Sequence, residues 1–283
     1  MSLAKSLEHA ATLPREERDE LLEKIGQIEY DKCAADPFYW FDPRRHDGIA
    51  YVKTVDRGSK FHCNLCKDQE QRDSAKLALH LQTYHGIKVK NDYEALGYFT
   101  KLPPLRAFPF VEKEEYLRPL IETWLGERYF CIEKSRDMMA TWLVLCLYVW
   151  DTYFHAGREN IFQSEKAPKA LELINRANQI YSNQPKFLRQ IHPGRMTKGN
   201  DKSGILEFTS LDSKLLGFAQ GADQIRMYHP SGLFQDEAAY QIGAEEGFIA
   251  VKPALQSGGR YTAVSSANPS FFMTLCRDET DAE

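Results

Sequence analysis

The run "MMATWLVLCLYVW", positions 138–150, constrains this 283-residue chain more than any other stretch. It is apolar on every side, so it has no face to offer water and must be covered all round. It is also too short to cross a bilayer, which takes about 20 residues. Arg136 and Asp137 lie before it or at its edge, and Asp151 follows. A helix buried in the core of a sizeable domain satisfies these facts together. With 43% hydrophobic residues and no low-complexity tract, the chain has enough apolar surface for one large or two modest globular units.

The surrounding pattern alternates between helix and strand. Helices are expected near 114–125, 138–154, 166–182 and 237–245, and strands at 128–133, 204–210, 224–229, 232–236 and 261–266. That alternation argues for an α/β unit with a mostly parallel sheet flanked by helices. Upstream, "LPREERDELLEKIGQIEY" sets Leu21, Leu22, Ile25 and Ile28 at helical spacing behind Pro14. Two Asp-Pro steps and Gly48 break the next stretch. The prolines of "KLPPLRAFPF" (101–110) mark a linker or an extended entry to a new domain. The expected division is a helical and irregular N-terminal region over 1–60, a small motif over 61–88, and the α/β domain over 101–283.

A formal net charge of -4 gives no global basic field, so contact with nucleic acid would need a local patch or an assembly of copies. The first 25 residues turn acidic and helical where a secretory signal would stay apolar. A cytoplasmic location and no membrane partner are therefore expected. Six cysteines contain one close pair, Cys63 and Cys66, with histidines downstream, which favours metal ligation over a disulfide framework.

That pair belongs to "FHCNLCKDQEQRDSAKLALHLQTYHG" (61–86). Two thiolates on a knuckle and two histidines four residues apart, Cys63, Cys66, His80 and His85, have the order and spacing of a ββα zinc finger. Phe61 and Leu77 stand where such fingers keep a small apolar core. Gln71 stands about where its central aromatic is expected, which leaves that core thin. The positions that would meet bases carry Asp73, Lys76 and Leu79. Leu79 offers no hydrogen bond to a base edge, and one finger covers only about three base pairs. A structural or protein-docking knuckle is the expectation.

A second constellation begins at "YFCIEKSRDMMATWLV" (129–144): apolar strand, short loop, helix. Backbone N–H groups at such a helix start suit phosphate oxygens, a Lys neutralises them, and a Thr hydroxyl can ligate magnesium. The frame G-x-x-x-x-G-K-[ST] puts Lys134 and Met139 at the glycines, Ala140 at the Lys and Thr141 at the hydroxyl. Only Thr141 fits, so an ordinary turn with Lys134 and Arg136 at the surface stays open. Downstream, "SGLFQDEAAY" offers Asp236 to hold magnesium through water and Glu237 to orient an attacking water. Asp-Glu pairs also stand at 19/20 and 278/279, so the pair alone decides nothing. "GGRYTAVSSANP" ends a strand in Ser265, Ser266, Ala267 and Asn268, small polar groups suited to sensing phosphate.

Taken in order over about 101–272, these segments resemble the ATPase domain of the large terminase subunit, the motor that packages DNA into tailed-phage heads. "FPFVEKEEYLRPLIETW", "EKSRDMMATWL", "GFAQGADQIRMYHPSGLFQDEAAY" and "GGRYTAVSSANPSFF" carry the likeness. The resemblance implies a P-loop NTPase fold of the ASCE type, ATP and Mg2+ as cofactors beside Zn2+ in the finger, and a deviant phosphate loop, K-S-R-Q-x-G-x-[ST]. On that loop it assigns Lys134 as the working Lys, Ser135 beside it, Arg136 as an arginine finger and Thr141 as the hydroxyl. Asp137 and Met139 depart from the usual Gln and Gly, and Gln235 from the apolar strand before Asp236. It further implies Asp236 on magnesium, Glu237 as catalytic carboxylate and Ser265–Asn268 as the motif coupling hydrolysis to DNA movement. The adenine pocket would lie around Phe108–Phe110.

The partners implied are double-stranded DNA, the portal protein, the small terminase subunit and further copies in a ring, in the host cytoplasm on the procapsid portal. Because 14 residues follow Pro269, the RNase H-type nuclease half is expected to be missing from this chain, with a separate nuclease subunit possible. The rival expectation is a non-catalytic zinc-finger adaptor on a degenerate P-loop scaffold. A helicase-like translocase lacks support, since neither a second motor domain nor an arginine-bearing helicase motif is found.

Overall fold

A computed structural model describes residues 3–41, 50–52, 60–66, 71–73, 76–102, 105–107, 116–136, 138–199, 204–221, 223 and 225–277. Asp137, the segment Phe108–Phe110 and the prolines at 103, 104 and 109 lie outside them. The chain divides into two units, Met1–Ile49 with Phe108–Glu283, and Ala50–Ala107.

The larger unit opens with α1 (Leu3–Thr12), α2 (Arg15–Ala35) and α3 (Pro37–Phe41). The smaller contains β1 (Ala50–Val52), β2 (Lys60–Cys63), β3 (Gln71–Asp73), α4 (Leu77–His85), α5 (Asp92–Ala95), β4 (Phe99–Leu102) and β5 (Leu105–Ala107). The larger resumes with α6 (Leu117–Gly126), β6 (Tyr129–Glu133), α7 (Ala140–Phe154), β7 (Glu159–Ser164), α8 (Ala167–Ser182) and α9 (Lys186–Arg189). It closes with β8 (Arg195–Lys198), β9 (Gly204–Phe208), β10 (Ser213–Ala219), β11 (Gly232–Asp236), α10 (Ala244–Gln256), β12 (Arg260–Ser265) and α11 (Phe271–Cys276).

The apolar run is α7, and twelve of its fifteen residues are buried, which is why no polar face was needed. On one side it meets the sheet, where Tyr148 packs on Phe162 and Phe234 and donates its hydroxyl to the Leu233 carbonyl. On another it meets α2: the Trp150 indole donates to the Cys33 carbonyl at 2.6 Å, and the Tyr30 hydroxyl to the Tyr153 carbonyl at 2.9 Å. These buried bonds fix the N-terminal helices to the α/β core. The unit therefore includes Met1–Ile49, which the sequence pattern sets apart as a region over 1–60.

Seven strands form one sheet in the order β6-β12-β11-β7-β10-β9-β8. The first five are parallel, and β9 and β8 add antiparallel at the far edge. α7 and α8 cover one face. α10 and α11 cover the other, around Ile161, Leu216, Leu233, Val251, Tyr261 and Phe272. A strand, β12, thus stands between β6, which leads into the Lys134–Met139 loop, and β11, the strand ending in Asp236. The result is a mostly parallel sheet flanked by helices, as the alternation of helix and strand in the sequence leads one to expect. In such a sheet ligands gather at the carboxyl ends of the strands, and Glu133, Asp236 and Ser265 all end there.

Three expectations are corrected. Over the described part of the strand expected at 224–229, residues 225–229 form no strand: Ile225–Met227 is a short 3-10 turn. The helix expected over 237–245 is a 3-10 turn at Ala238–Tyr240 followed by α10 from Ala244, since Glu237 takes a left-handed backbone (φ 52°) that no helix continues. β7, β8 and β10 are strands that the pattern did not reveal. Among the described residues no helix is long and apolar enough to cross a membrane.

Candidate nucleotide site and metal centre

The Lys134–Met139 loop leaves the end of β6 and enters α7, whose first N–H groups have no partner within the helix. Met139, in the second glycine position of the phosphate-loop frame, has φ 56°. A side chain there is strained by about 1–2 kcal/mol, so the backbone follows the glycine path although the residue does not. Lys134 donates its backbone N–H to the Ser265 carbonyl at 2.9 Å and its ammonium to Glu237 Oε1 at 3.0 Å. Thr141 donates its hydroxyl to Asp236 Oδ1 at 2.8 Å.

Four of the expected residues, from two strand ends and a helix start, therefore meet in two pairs. Ser265, Ser266 and Asn268 reach the turn after Asp236. Ser265 Oγ accepts the Ala239 N–H at 3.1 Å, Asn268 Nδ2 donates to the Ala239 carbonyl at 3.0 Å, and the Ser266 and Tyr240 hydroxyls lie 3.3 Å apart. Ser135 and Arg136 sit at the exposed tip of the loop, and no ion pair involves Arg136 among the described residues.

Desolvation pushes the Asp236 carboxyl up to about 6, with Glu237 adding to the rise, while the Thr141 hydrogen bond, Lys134 and Arg176 oppose it. A carboxyl in that state is short of positive charge. With the Thr141 hydroxyl beside it, the donor set is the hard oxygen kind that suits magnesium.

The motif frame contains no place for two cations of α8, Lys169 and Arg176. They are seven residues apart and so share a helix face. Arg176 lies over the Trp142 ring at 5.4 Å. The Lys169 ammonium is held up first by its hydrogen bond to Glu165, with Glu237 and Asp236 contributing. Tyr116, whose hydroxyl donates to the Met138 carbonyl at 3.2 Å, is likewise outside the frame.

In the Ala50–Ala107 unit, β3-β2-β4 form a small antiparallel sheet and α4 packs on it. Ligand atoms of Cys63, Cys66, His80 and His85 lie within 4.8 Å of one another. Cys66 Sγ is 3.1 Å from His80 Nε2 and 3.2 Å from His85 Nε2, and Cys63 Sγ is 3.4 Å from His85 Nε2. Tetrahedral zinc with ordinary bond lengths would set S and N about 3.5 Å apart, so the four donors fit that ion. Gly86, at φ 68°, ends α4 just after His85. Phe61 and Leu77 are core residues, and Leu81, Ala95 and Phe99 join them. The aromatic missing at Gln71 is thus supplied from β4, where Phe99 packs edge-on against the His80 ring at 5.6 Å.

No family model matches the chain, and no curated protein matches it. Solved structures do. The chain is similar in structure to phage large-terminase ATPase domains. The ATPase domain of the Thermus phage P74-26 large terminase aligns at 12% identity and TM-score 0.40, over 51% of this chain and 62% of that one. The HK97 bacteriophage large terminase aligns at 16% identity and TM-score 0.45, over 63% of this chain and 37% of that one. A large terminase from a thermophilic bacteriophage, solved in complex with ADP, aligns at 12% identity and TM-score 0.36, over 56% of this chain and 39% of that one. The matched part therefore spans less than two thirds of each of these relatives.

Proposed function

We propose that this chain is the ATP-hydrolysing motor part of a phage terminase large subunit, driving double-stranded DNA into a procapsid. One observation carries the reading: Lys134 pairs with Glu237, and Thr141 with Asp236, at the carboxyl ends of β6 and β11 with β12 between them. A Lys, a hydroxyl and two carboxylates at a helix start form the set that phosphoryl transfer to water requires.

In this reading the entering phosphates draw Lys134 away from Glu237. The freed carboxylate then orients a water and accepts its proton. Thr141 and Asp236 hold magnesium, which neutralises phosphate charge when bound. Arg136, on the exposed loop tip, is free to follow the transferring phosphoryl group, with Ser135 beside it. Ser265, Ser266 and Asn268 grip the Glu237 turn and pass its position to the DNA-moving parts. Zinc on Cys63, Cys66, His80 and His85 is structural. The working form is a ring on the portal in the host cytoplasm, assisted by a small terminase subunit and, where the nuclease is a separate chain, by that chain.

Magnesium-ATP binding and hydrolysis by the full chain, with portal and DNA present, test the reading. Lys134→Ala should lose binding and turnover together. Glu237→Gln should still bind ATP while hydrolysis falls by about two orders of magnitude or more. Ala140 in the usual Lys position and the strained Met139 favour a second reading, a zinc-finger adaptor on a retired ATPase scaffold. It predicts no magnesium-dependent ATP binding and no difference between the variants.

A further inference from the structure

Gln235 interrupts an otherwise apolar strand one residue before Asp236, and it is fully buried. Its Nε2 donates to Gln163 Oε1 of the neighbouring strand β7 at 2.7 Å and to the Ala244 carbonyl at 3.2 Å, and its Oε1 accepts the Tyr261 hydroxyl at 2.6 Å. Gln163, also fully buried, donates to the Gly221 carbonyl at 2.9 Å. Gln241 is 4% exposed. Its Nε2 donates to the Asp236 carbonyl at 2.8 Å and to the Gln163 carbonyl at 3.3 Å. Gly247 of α10 lies against this layer: a Cβ there would come within 2.8 Å of both Gln163 Oε1 and Gln235 Nε2.

Buried amides are costly unless paired, and leucines would fill the same space without that risk. What they do that leucine cannot is hold backbone. The Gln241 side chain folds back over five residues to the Asp236 carbonyl and closes a ring around 237–240, of which Glu237 is the first residue. Glu237 is a non-glycine residue at φ 52°. A backbone in that region persists only where its surroundings over-determine it. Ser265 and Asn268 bond the turn at Ala239, and Gln241 bonds its start at the Asp236 carbonyl.

We propose that Gln241, backed by Gln163 and Gln235, is a positioning residue that fixes the left-handed turn carrying Glu237 and so aims its carboxylate. The role rests on the ATPase reading, but the hold on the turn does not.

The test pairs two measurements on the full chain, hydrogen exchange at the Ala239, Tyr240 and Gln241 amides and magnesium-ATP turnover. Gln241→Met keeps the shape and removes the donor. Exchange at those amides should quicken, kcat should fall by about tenfold to a hundredfold, and nucleotide affinity should stay within about threefold, since Lys134 is untouched. Gly247→Ala, which pushes on the Gln163–Gln235 pair from behind, should act in the same direction more weakly, and it serves if the first variant does not fold. Unchanged exchange in a folded variant overturns the proposal, whether or not the chain hydrolyses ATP. Faster exchange with unchanged kcat overturns the positioning role. An unmodified chain that binds no magnesium-ATP sinks the ATPase reading and the catalytic half with it, while exchange still decides whether the amides hold the turn.

Discussion

The two units are stabilised in opposite ways. The α/β unit has a helix buried on all sides, a seven-stranded sheet covered on both faces, and aromatic contacts that run from Tyr30 through Tyr153 to Phe208. The Ala50–Ala107 unit has a cluster of six buried core residues and four converging metal donors. The first folds on apolar area. The second is so small that, in the proposed reading, a zinc ion supplies what the core lacks. Loss of a single atom should therefore be ruinous in one unit and tolerable in the other.

The sharpest way to break that contrast is to remove the metal. Chelation, or Cys66→Ser, should unfold the Ala50–Ala107 unit, because structural zinc contributes about 10 kcal/mol or more to such sites. The α/β unit should keep its thermal transition. Metal analysis should find one zinc per chain. Protein purified without chelator and lacking it, or a chelated protein that keeps the unit's far-UV signal, would refute the contrast.

A smaller effect is expected from the best-packed helix. Leu147→Ala in α7 should cost the α/β unit about 2–5 kcal/mol in urea unfolding and leave zinc content unchanged. Loss of both would mean the units are coupled more tightly than their separate cores imply.

Next comes pH. The Asp236 carboxyl is raised from 3.8 to about 6, so between those values the folded chain holds a proton that the unfolded chain has lost. Stability from this group is full below about pH 4, declines as pH rises through 6, and is flat above. Over about two units the change is at most about 3 kcal/mol. Asp236→Asn should abolish the slope, and saturating magnesium should reduce the loss above pH 6. A slope of the opposite sign in the unmodified chain would show that the carboxyl is not desolvated as described.

The smallest effect belongs to the backbone. Met139→Gly should stabilise the α/β unit by about 1 kcal/mol, read as a modest rise in its melting temperature. A fall would mean that the methionine side chain contributes more packing than its strained φ costs.

Legibility in the sequence followed the same contrast. The convergence of Cys63, Cys66, His80 and His85 and the α7 run are readable because both are written in spacing and polarity. β7 was not, because Asn160 and Gln163 give it the look of a loop although both are buried in the sheet. The turn at Glu237 passed for a helix start because its opening is acidic, whereas its hydrogen bonds to Ser265 and Asn268 and the local Gln241–Asp236 bond hold a form that no helix continues. The thin finger core was misleading for a simple reason: Phe99 lies 13 residues beyond Gly86, the last residue of the motif. Lys169 and Arg176 carry no local mark at all, since helix spacing tells which residues share a face and not what that face looks upon.

Ser265 has a mechanical consequence. Its carbonyl takes the Lys134 N–H and its hydroxyl takes the Ala239 N–H. Like a hinge pin shared by two leaves, one residue joins the loop that would grip phosphate to the turn that would aim water. The slack between gripping and aiming is then limited to the give of two hydrogen bonds, so neither part can travel far without dragging the other.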